Sequence, residues 1–347
     1  MKIGRHLIGP GHPVFIIAEL SANHHQNYDE AARLVHLAKE SGADAVKLQT
    51  YTADTLTIAC DDPRFRISGG TLWDGRTLHD LFGEAFTPWE WQPRLKTLAD
   101  EIGIELFSTP FDPTAVEFLE KMNVPAHKIA SFELVDIGLI QLAARTGKPL
   151  IMSTGMATTD EIEEAVAAAR AAGATDIALL KCTSAYPAPP ESMNLRTIPD
   201  LAARFDVPAG LSDHTLGTTV PVAAVGLGAC IVEKHLTSSR QIPGPDSVFS
   251  LEPAEFKQMV DAIRVAERAL GQVSYGAGDN EKAGRALRRS LFVVADIAIG
   301  DRFTSENIRS IRPGHGLAPK HLEEILGRTA KQKLPRGTPL SWDVIAD

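Results

Sequence analysis

Two histidines, His214 and His235, each close an apolar run, in VPAGLSDH and ACIVEKH, with one helix-sized stretch between them. If the runs are parallel strands joined by a crossover helix, both imidazoles stand at the same rim of one sheet. Two neutral ring nitrogens so placed suit a divalent metal, Mn2+ first and Mg2+ or Co2+ as substitutes, and leave positions for water and substrate oxygens. Two ligands fall short of a closed metal site, so a structural, hydrogen-bonding role for either ring stays open. The segment SDH at 212–214 is not a hydrolase triad, because neighbours at a strand end point to different sides and no nucleophile elbow is written there. Other strand-like runs end in Glu19, Lys47 with Gln49, Thr109, Lys128 with Ser131, Ser153, and Lys181 with Thr183.

Lysines at a barrel rim are costly unless they meet anions. Lys47, Lys128 and Lys181 together at one rim favour an anionic substrate, although each alone could snorkel or pair with a carboxylate. Ser153, Ser212, Thr109 and Ser131 add hydroxyl donors for phosphate or carboxylate oxygens. A lysine there could also form a Schiff base, so a lysine-dependent aldolase is an alternative. Glu19, followed by SANHH, and Glu133, after KIASF, are the acid/base candidates, with orientation of a lysine as their plainer role. Asp246 in PGPDSVFS could bind polyol hydroxyls or simply be a solvated loop residue. A sugar-binding protein without catalysis is a third class, which need not gather metal ligands and phosphate-binding lysines at one rim.

The elements that must position these residues are eight apolar runs: 14–19, 45–49, 104–109, 128–132, 149–153, 177–182, 209–212 and 229–235. Amphipathic stretches such as 29–41, 113–122, 159–172 and 218–227 alternate with them. Thr87 with Pro88, Asp112 with Pro113, and Thr159 ahead of Asp160 and Glu161 read as helix starts, and Gly42, Gly103, Gly147 and Gly173 as left-handed caps. Eight alternations predict an α/β fold, a closed (β/α)8 TIM barrel, with an open doubly wound sheet as rival. The second connection, 51–87, is too long for a bare crossover and is expected to lie over the catalytic face and select substrate. After a polar connector, ADIAIGDRFTSENI at 295–308 and QKLPRGTPLSWDVI at 332–345 echo each other, which predicts a small module with internal pseudo-symmetry. The expected division is a barrel over 1–270, a linker over 271–288 and the module over 289–347.

The formal charge of −9 from 44 acidic and 35 basic residues gives no broad attraction for nucleic acid or an anionic membrane. Three cysteines, Cys60, Cys182 and Cys230, lack metal-ligand spacing and suit a reducing compartment. The first apolar run is too short for a signal segment, so a cytoplasmic location is expected.

At AELSANH, DAVKLQTYT, STPFD, KIASFE, MSTGMA, KCTSAYPAP, GLSDHT, EKH and GPDS the chain resembles the sialic acid synthase family, over essentially its whole length. The last segment is similar to that family's antifreeze-like (SAF) domain. Such enzymes condense phosphoenolpyruvate with an open-chain acylamino sugar to give a nonulosonic acid and phosphate. GGTLWDGRTLHDLF, Ser184 in KCTSAYP, DSVFS and NIRSIRPGHGLAPKHLEEILG resemble the branch whose sugar is 2,4-diacetamido-2,4,6-trideoxy-L-altropyranose, with N-acetylmannosamine as the alternative. The resemblance implies a divalent metal on His214 and His235, and phosphoenolpyruvate on Lys47, Lys128, Ser131, Ser153 and Ser212 with Thr109 at its carboxylate. It further implies that Glu133 manages protons of water or hydroxyls, while Glu19, Gln49, Tyr186 and Asp246 position sugar and metal waters. Asn23, Lys181 and Ser184 complete the expected substrate set, and Trp73 of the insertion is expected against the sugar's methyl and acetamido groups. Arg312, in RPGHGLAPK, is expected to reach the barrel of the other subunit in a domain-swapped homodimer.

Overall fold

The computed structural model describes residues 1–276 and 278–346. The chain folds as two compact units, Met1–Gly271 and Gln272–Asp347. In the first, eight parallel strands close into a barrel in sequence order. They are β1 (Phe15–Glu19), β2 (Ala45–Thr50), β3 (Glu105–Pro110), β4 (His127–Ile129), β5 (Leu150–Ser153), β6 (Ile177–Cys182), β7 (Ala209–Asp213) and β8 (Ile231–His235). Eight helices follow them: α1 (Tyr28–Glu40), α2 (Gln92–Ile102), α3 (Pro113–Lys121), α4 (Ile137–Arg145), α5 (Thr159–Ala171), α6 (Thr197–Phe205), α7 (Thr219–Gly226) and α8 (Pro253–Leu270). This is the expected (β/α)8 architecture. The closing pair β8–β1 sets His235 beside Glu19, which leaves no open sheet edge.

Local sequence explains the helices. In α1, Ala31, Leu34, Val35 and Ala38 form one buried stripe, and the Asn27 side chain accepts the backbone N–H groups of Asp29 and Glu30. Asp112 caps α3 ahead of Pro113. The α5 cap is Thr158, one residue before the expected Thr159, because Glu161 three residues on completes a capping box with it. Thr87 caps no helix. The 3₁₀ turn Trp89–Trp91 intervenes before α2, and the Thr87 hydroxyl bonds the His24 ring instead, at 3.1 Å. Gly42, Gly103, Gly147 and Gly173 all hold positive φ.

Strand alternation then makes two hydrophobic layers. Ile16, Val46, Leu48 and Val232 face the helices. Phe15, Ile17, Ala45, Phe107, Ile151, Ala178, Leu180 and Ile231 fill the barrel interior. An N-terminal hairpin, Lys2–Ile3 with His6–Leu7, brings Ile3 and Ile8 into that same interior cluster. Gly210 is required by close approach: a Cβ there would stand 2.4 Å from the Ile231 carbonyl oxygen. Residues 51–87 contain the helices Ala53–Leu56 and Leu78–Ala85 and an antiparallel bridge between Arg66 and Thr77.

In the second unit β9 (Ser290–Val293) pairs antiparallel with β10 (Ile308–Ile311). The two echoing segments are related by a local twofold. Ile297 and Leu334 exchange both backbone hydrogen bonds, and Gly300 N–H to Ala330 O is mirrored by Gly337 N–H to Val293 O. Leu291, Val293, Phe303, Ile308, Leu334, Leu340 and Ile345 form its core. Among the described residues no helix is long and apolar enough to cross a membrane.

Candidate active site

The parity that fills the barrel with apolar side chains continues upward into a polar mouth. In β1 the inward positions Phe15 and Ile17 are followed by Glu19, in β2 Ala45 by Lys47 and Gln49, and in β3 Phe107 by Thr109. Lys128 of β4, Ser153 of β5, Ser212 of β7 and Glu233 with His235 of β8 complete the ring at the carboxyl ends of the strands.

Its centre is a buried array of alternating charge. Lys47 pairs with Glu19, donates to Thr109 Oγ1 at 3.2 Å and lies 3.9 Å from Glu233 Oε2. Lys128 donates to Ser153 Oγ at 2.6 Å and lies 3.8 Å from Glu233 Oε1. Ser212 Oγ donates to that same oxygen at 2.9 Å. Burial opposes every charge here, and neighbours decide the outcome. Glu233 is held below the usual carboxylate range because Lys128 and Lys47 outweigh its burial. Burial raises Glu19 to about 7 against the pull of Lys47. Lys47 is pushed up, since Glu19 and Glu233 overcome desolvation, whereas burial leaves Lys128 below the ordinary lysine value. Two ammonium groups set among serine and threonine hydroxyls have the chemistry to receive a small dianion, and Glu233 is the internal anion that balances them.

Beside this array the His214 and His235 rings lie with centroids 5.3 Å apart. His214 Nδ1 stands 3.0 Å from the Thr183 carbonyl, an acceptor only, so Nδ1 carries a proton. Burial disfavours the imidazolium, but the neighbouring Cys182 thiol and the Thr183 carbonyl outweigh it and push the ring's pKa up, and a metal at Nε2 would take the ring in its neutral form. His235 is held neutral by burial, and its buried Nδ1 has no hydrogen-bond partner, with Asp246 Oδ2 at 4.0 Å. An orphaned buried nitrogen next to a second available imidazole fits a divalent cation bound through nitrogen, with oxygen ligands from elsewhere. Among the described residues no group of three or more His, Cys, Asp or Glu side chains is arranged as a metal-holding cluster.

A hydrogen-bonded chain extends from Glu19 toward the β8–α8 loop. Gln49 Nε2 donates to Glu19 Oε1 at 3.3 Å and to Ser21 Oγ at 3.0 Å, and Ser21 Oγ donates to Asp246. Asn23 donates to the Leu236 carbonyl at 3.0 Å and to Ser250 Oγ at 2.9 Å, which makes it a brace for that loop. The insertion comes down on the same side. Trp73 Nε1 donates to the Pro245 carbonyl at 3.0 Å, and its ring lies 5.5 Å from that of Tyr186, which is 4.4 Å from His214. Ser131 and Ser184 bond each other at 2.9 Å against Gly155. A Cβ at Gly155 would come within 2.3 Å of Ser131 Cβ, so only glycine lets this loop close over the pair. Glu133 sits nearby with an unpartnered, buried Oε2, and burial raises it to about 7.

One expected site residue faces away from the ring and one was missed. Lys181 alternates with the inward Leu180 and Cys182 and therefore faces outward. Its ammonium donates to Cys182 O at 2.6 Å and Thr183 Oγ1 at 3.2 Å, in the lining of a cleft of about 760 Å3 that runs from Gly155 to Arg196 and Arg204. The rim thus carries two inward lysines rather than three. Arg312 lies in the second unit, just after β10. Glu233, absent from the residues expected on sequence grounds, was signalled by the two-residue spacing to His235 in EKH, which puts both on one strand face.

The NeuB family model matches residues 34–275, and the SAF domain model matches residues 288–346. The chain is 46% identical over 334 residues to a pseudaminic acid synthase of Helicobacter pylori, covering 96% of this chain and 98% of that one. It is 45% identical over 327 residues to a pseudaminic acid synthase of Campylobacter jejuni, covering 94% and 95%. Among solved structures, the N-acetylneuraminic acid synthetase of Leptospira borgpetersenii in complex with citrate matches with a TM-score of 0.73 at 31% identity, covering 82% of this chain and 94% of that one.

Proposed function

Because this chain belongs to the NeuB, or sialic acid synthase, family of phosphoenolpyruvate-condensing enzymes, we propose that it is a pseudaminic acid synthase. Its substrates on this reading are phosphoenolpyruvate, water and 2,4-diacetamido-2,4,6-trideoxy-L-altropyranose. C3 of phosphoenolpyruvate bonds to the aldehyde carbon of the open-chain sugar, water adds at C2, and the C2–O bond breaks to release phosphate and leave the 2-keto acid. The observation that carries the reading is the pair of inward, buried ammonium groups of Lys47 and Lys128 beside two adjacent imidazoles. The identity of the sugar is supported by near full-length similarity to two relatives that bear that name.

Each residue's proposed work follows from its position. Lys47 and Lys128 take the phosphate and carboxylate of phosphoenolpyruvate in exchange for Glu233, with Thr109, Ser153, Ser212 and the Ser131–Ser184 pair as neutral donors. Glu133, poised near neutrality by burial, accepts and returns protons of water or hydroxyl groups. Glu19, which accepts from Gln49 and from the Ser21 backbone N–H, orients the sugar side, where Asp246 and Asn23 shape the loop and Tyr186 and Trp73 offer apolar faces. His214 and His235 would hold the metal, which when bound supplies Lewis-acid polarisation of an oxygen ligand. Arg312 is proposed to reach the barrel of a second subunit in a domain-swapped homodimer, where its guanidinium would bond the sugar's acyl oxygen. The free thiols Cys60, Cys182 and Cys230 support a cytoplasmic setting.

The test offers phosphoenolpyruvate and Mn2+ with each sugar separately and follows phosphate and 2-keto acid. Turnover with the diacetamido-trideoxy sugar is expected, and turnover with N-acetylmannosamine alone would overturn the assignment. In ¹⁸O-labelled water the label should enter the keto acid at C2. Label in the released phosphate would signify P–O cleavage and refute the proposed bond breaking.

A further inference from the structure

Behind the two imidazoles lies an ion pair that the proposed chemistry does not use. Strand register sets Lys234 of β8 beside Asp213 of β7, and parity turns both away from the barrel interior, where their side chains are wholly buried. Lys234 Nζ donates to Asp213 Oδ2 at 2.5 Å and to the Thr215 carbonyl. The same carboxylate accepts the Thr215 backbone N–H on Oδ1 and the Thr215 hydroxyl on Oδ2, both at 3.1 Å. These four bonds enclose His214. The residue before it, the residue after it and the residue before His235 are tied to one another. Buried charges are a poor source of stability, since an apolar pair of similar volume joins two strands about as well. What the charges add is direction: the exit of β7 is held at a fixed place relative to β8, just where each strand presents its imidazole.

We infer that the Lys234–Asp213–Thr215 clamp is a positioning device that sets the separation and angle of the His214 and His235 rings, and thereby the affinity of the metal pair they form. The inference rests on the reading of those two histidines as metal holders. The three clamp residues are buried and act through the backbone on either side of His214 and through β8.

The experiment uses the full chain and Mn2+ alone as probe, with binding followed by electron paramagnetic resonance or calorimetry. The double variant Lys234→Met/Asp213→Asn removes the ammonium without stranding a charge and leaves the Asn side chain able to accept the Thr215 N–H. It is expected to raise the Mn2+ Kd by at least about tenfold, the range typical of groups that orient metal ligands. Its kcat should fall and recover with excess Mn2+, while KM for phosphoenolpyruvate at saturating Mn2+ stays within about twofold of the parent. Thr215→Val, which deletes one bond of the clamp, should raise Kd a few-fold. A folded double variant with parental Mn2+ affinity would overturn the inference, and so would failure of the double variant to fold while Thr215→Val binds Mn2+ like the parent. His235→Ala should abolish binding. A parent that binds no Mn2+, or a His235→Ala variant that binds like the parent, would instead defeat the metal reading itself.

Discussion

Replacing Lys128 by methionine separates what the central charge array does for stability from what it does for catalysis. Lys128 Nζ stands 3.8 Å from Glu233 Oε1. At an effective dielectric constant of ~20, that separation corresponds to an attraction of about 4 kcal/mol. Burial already disfavours the ammonium, so methionine relieves part of a desolvation cost and the net loss should be about 2–3 kcal/mol. For a unit of this size that is a fall of roughly 5–10 °C in Tm. The double variant Lys128→Met/Glu233→Gln removes the carboxylate that the single variant leaves to Lys47 alone and keeps Lys47 paired with Glu19, so its stability should return to within about 1 kcal/mol of the parent. Catalysis should not follow. Without the ammonium that replaces Glu233 by substrate, kcat/KM for phosphoenolpyruvate should drop by at least about 100-fold in both variants. Calorimetric unfolding without ligand and steady-state assays of phosphate release measure the two quantities on the same preparations. A single variant as stable as the parent, a catalytic loss under tenfold, or activity regained in the double variant would refute the reasoning.

Burial raises Glu133 to about 7, so its carboxylate predominates only above that pH, and kcat/KM should rise through a limb near 7 that vanishes in Glu133→Gln. Linkage gives the companion sign. A carboxyl raised above its unfolded value of 4.5 favours the folded state most below that value and loses the advantage as pH rises through 7, so Glu133→Gln should gain on the parent by about 1–3 kcal/mol at pH 8 and hardly at pH 4. Trp73→Ala removes the bond to Pro245 and the contact with Tyr186, and should raise KM for the sugar about tenfold with KM for phosphoenolpyruvate little changed. Equal effects on both substrates would mean that Trp73 only anchors the insertion. Subunit exchange between inactive His214→Ala and Arg312→Ala homodimers should restore up to about half the activity of the mixed dimer. No recovery despite proven exchange would reject action of Arg312 across subunits.

The sequence alone determined which segments are strands and how they follow one another, because period-two apolar runs separated by capped amphipathic stretches have one economical closed arrangement. It also marked the strand ends as the place of chemistry, since Glu19, Ser153, His214 and His235 each close an apolar run, and Lys47 and Lys128 interrupt two others. Alternation along a run divides its residues into two faces but does not say which face is inside. Closure of the barrel decided that. In IALLKC it turned Cys182 inward and Lys181 out to a cleft lined by Arg196 and Arg204, and in IVEKH it turned Glu233 inward with His235 and buried Lys234 against Asp213. The charge balance of the site is likewise tertiary. That Glu19 is engaged by Lys47, and that Glu233 lies between two lysines, depends on register across strands far apart in the chain, where distances of a few ångströms fix which groups stay ionised.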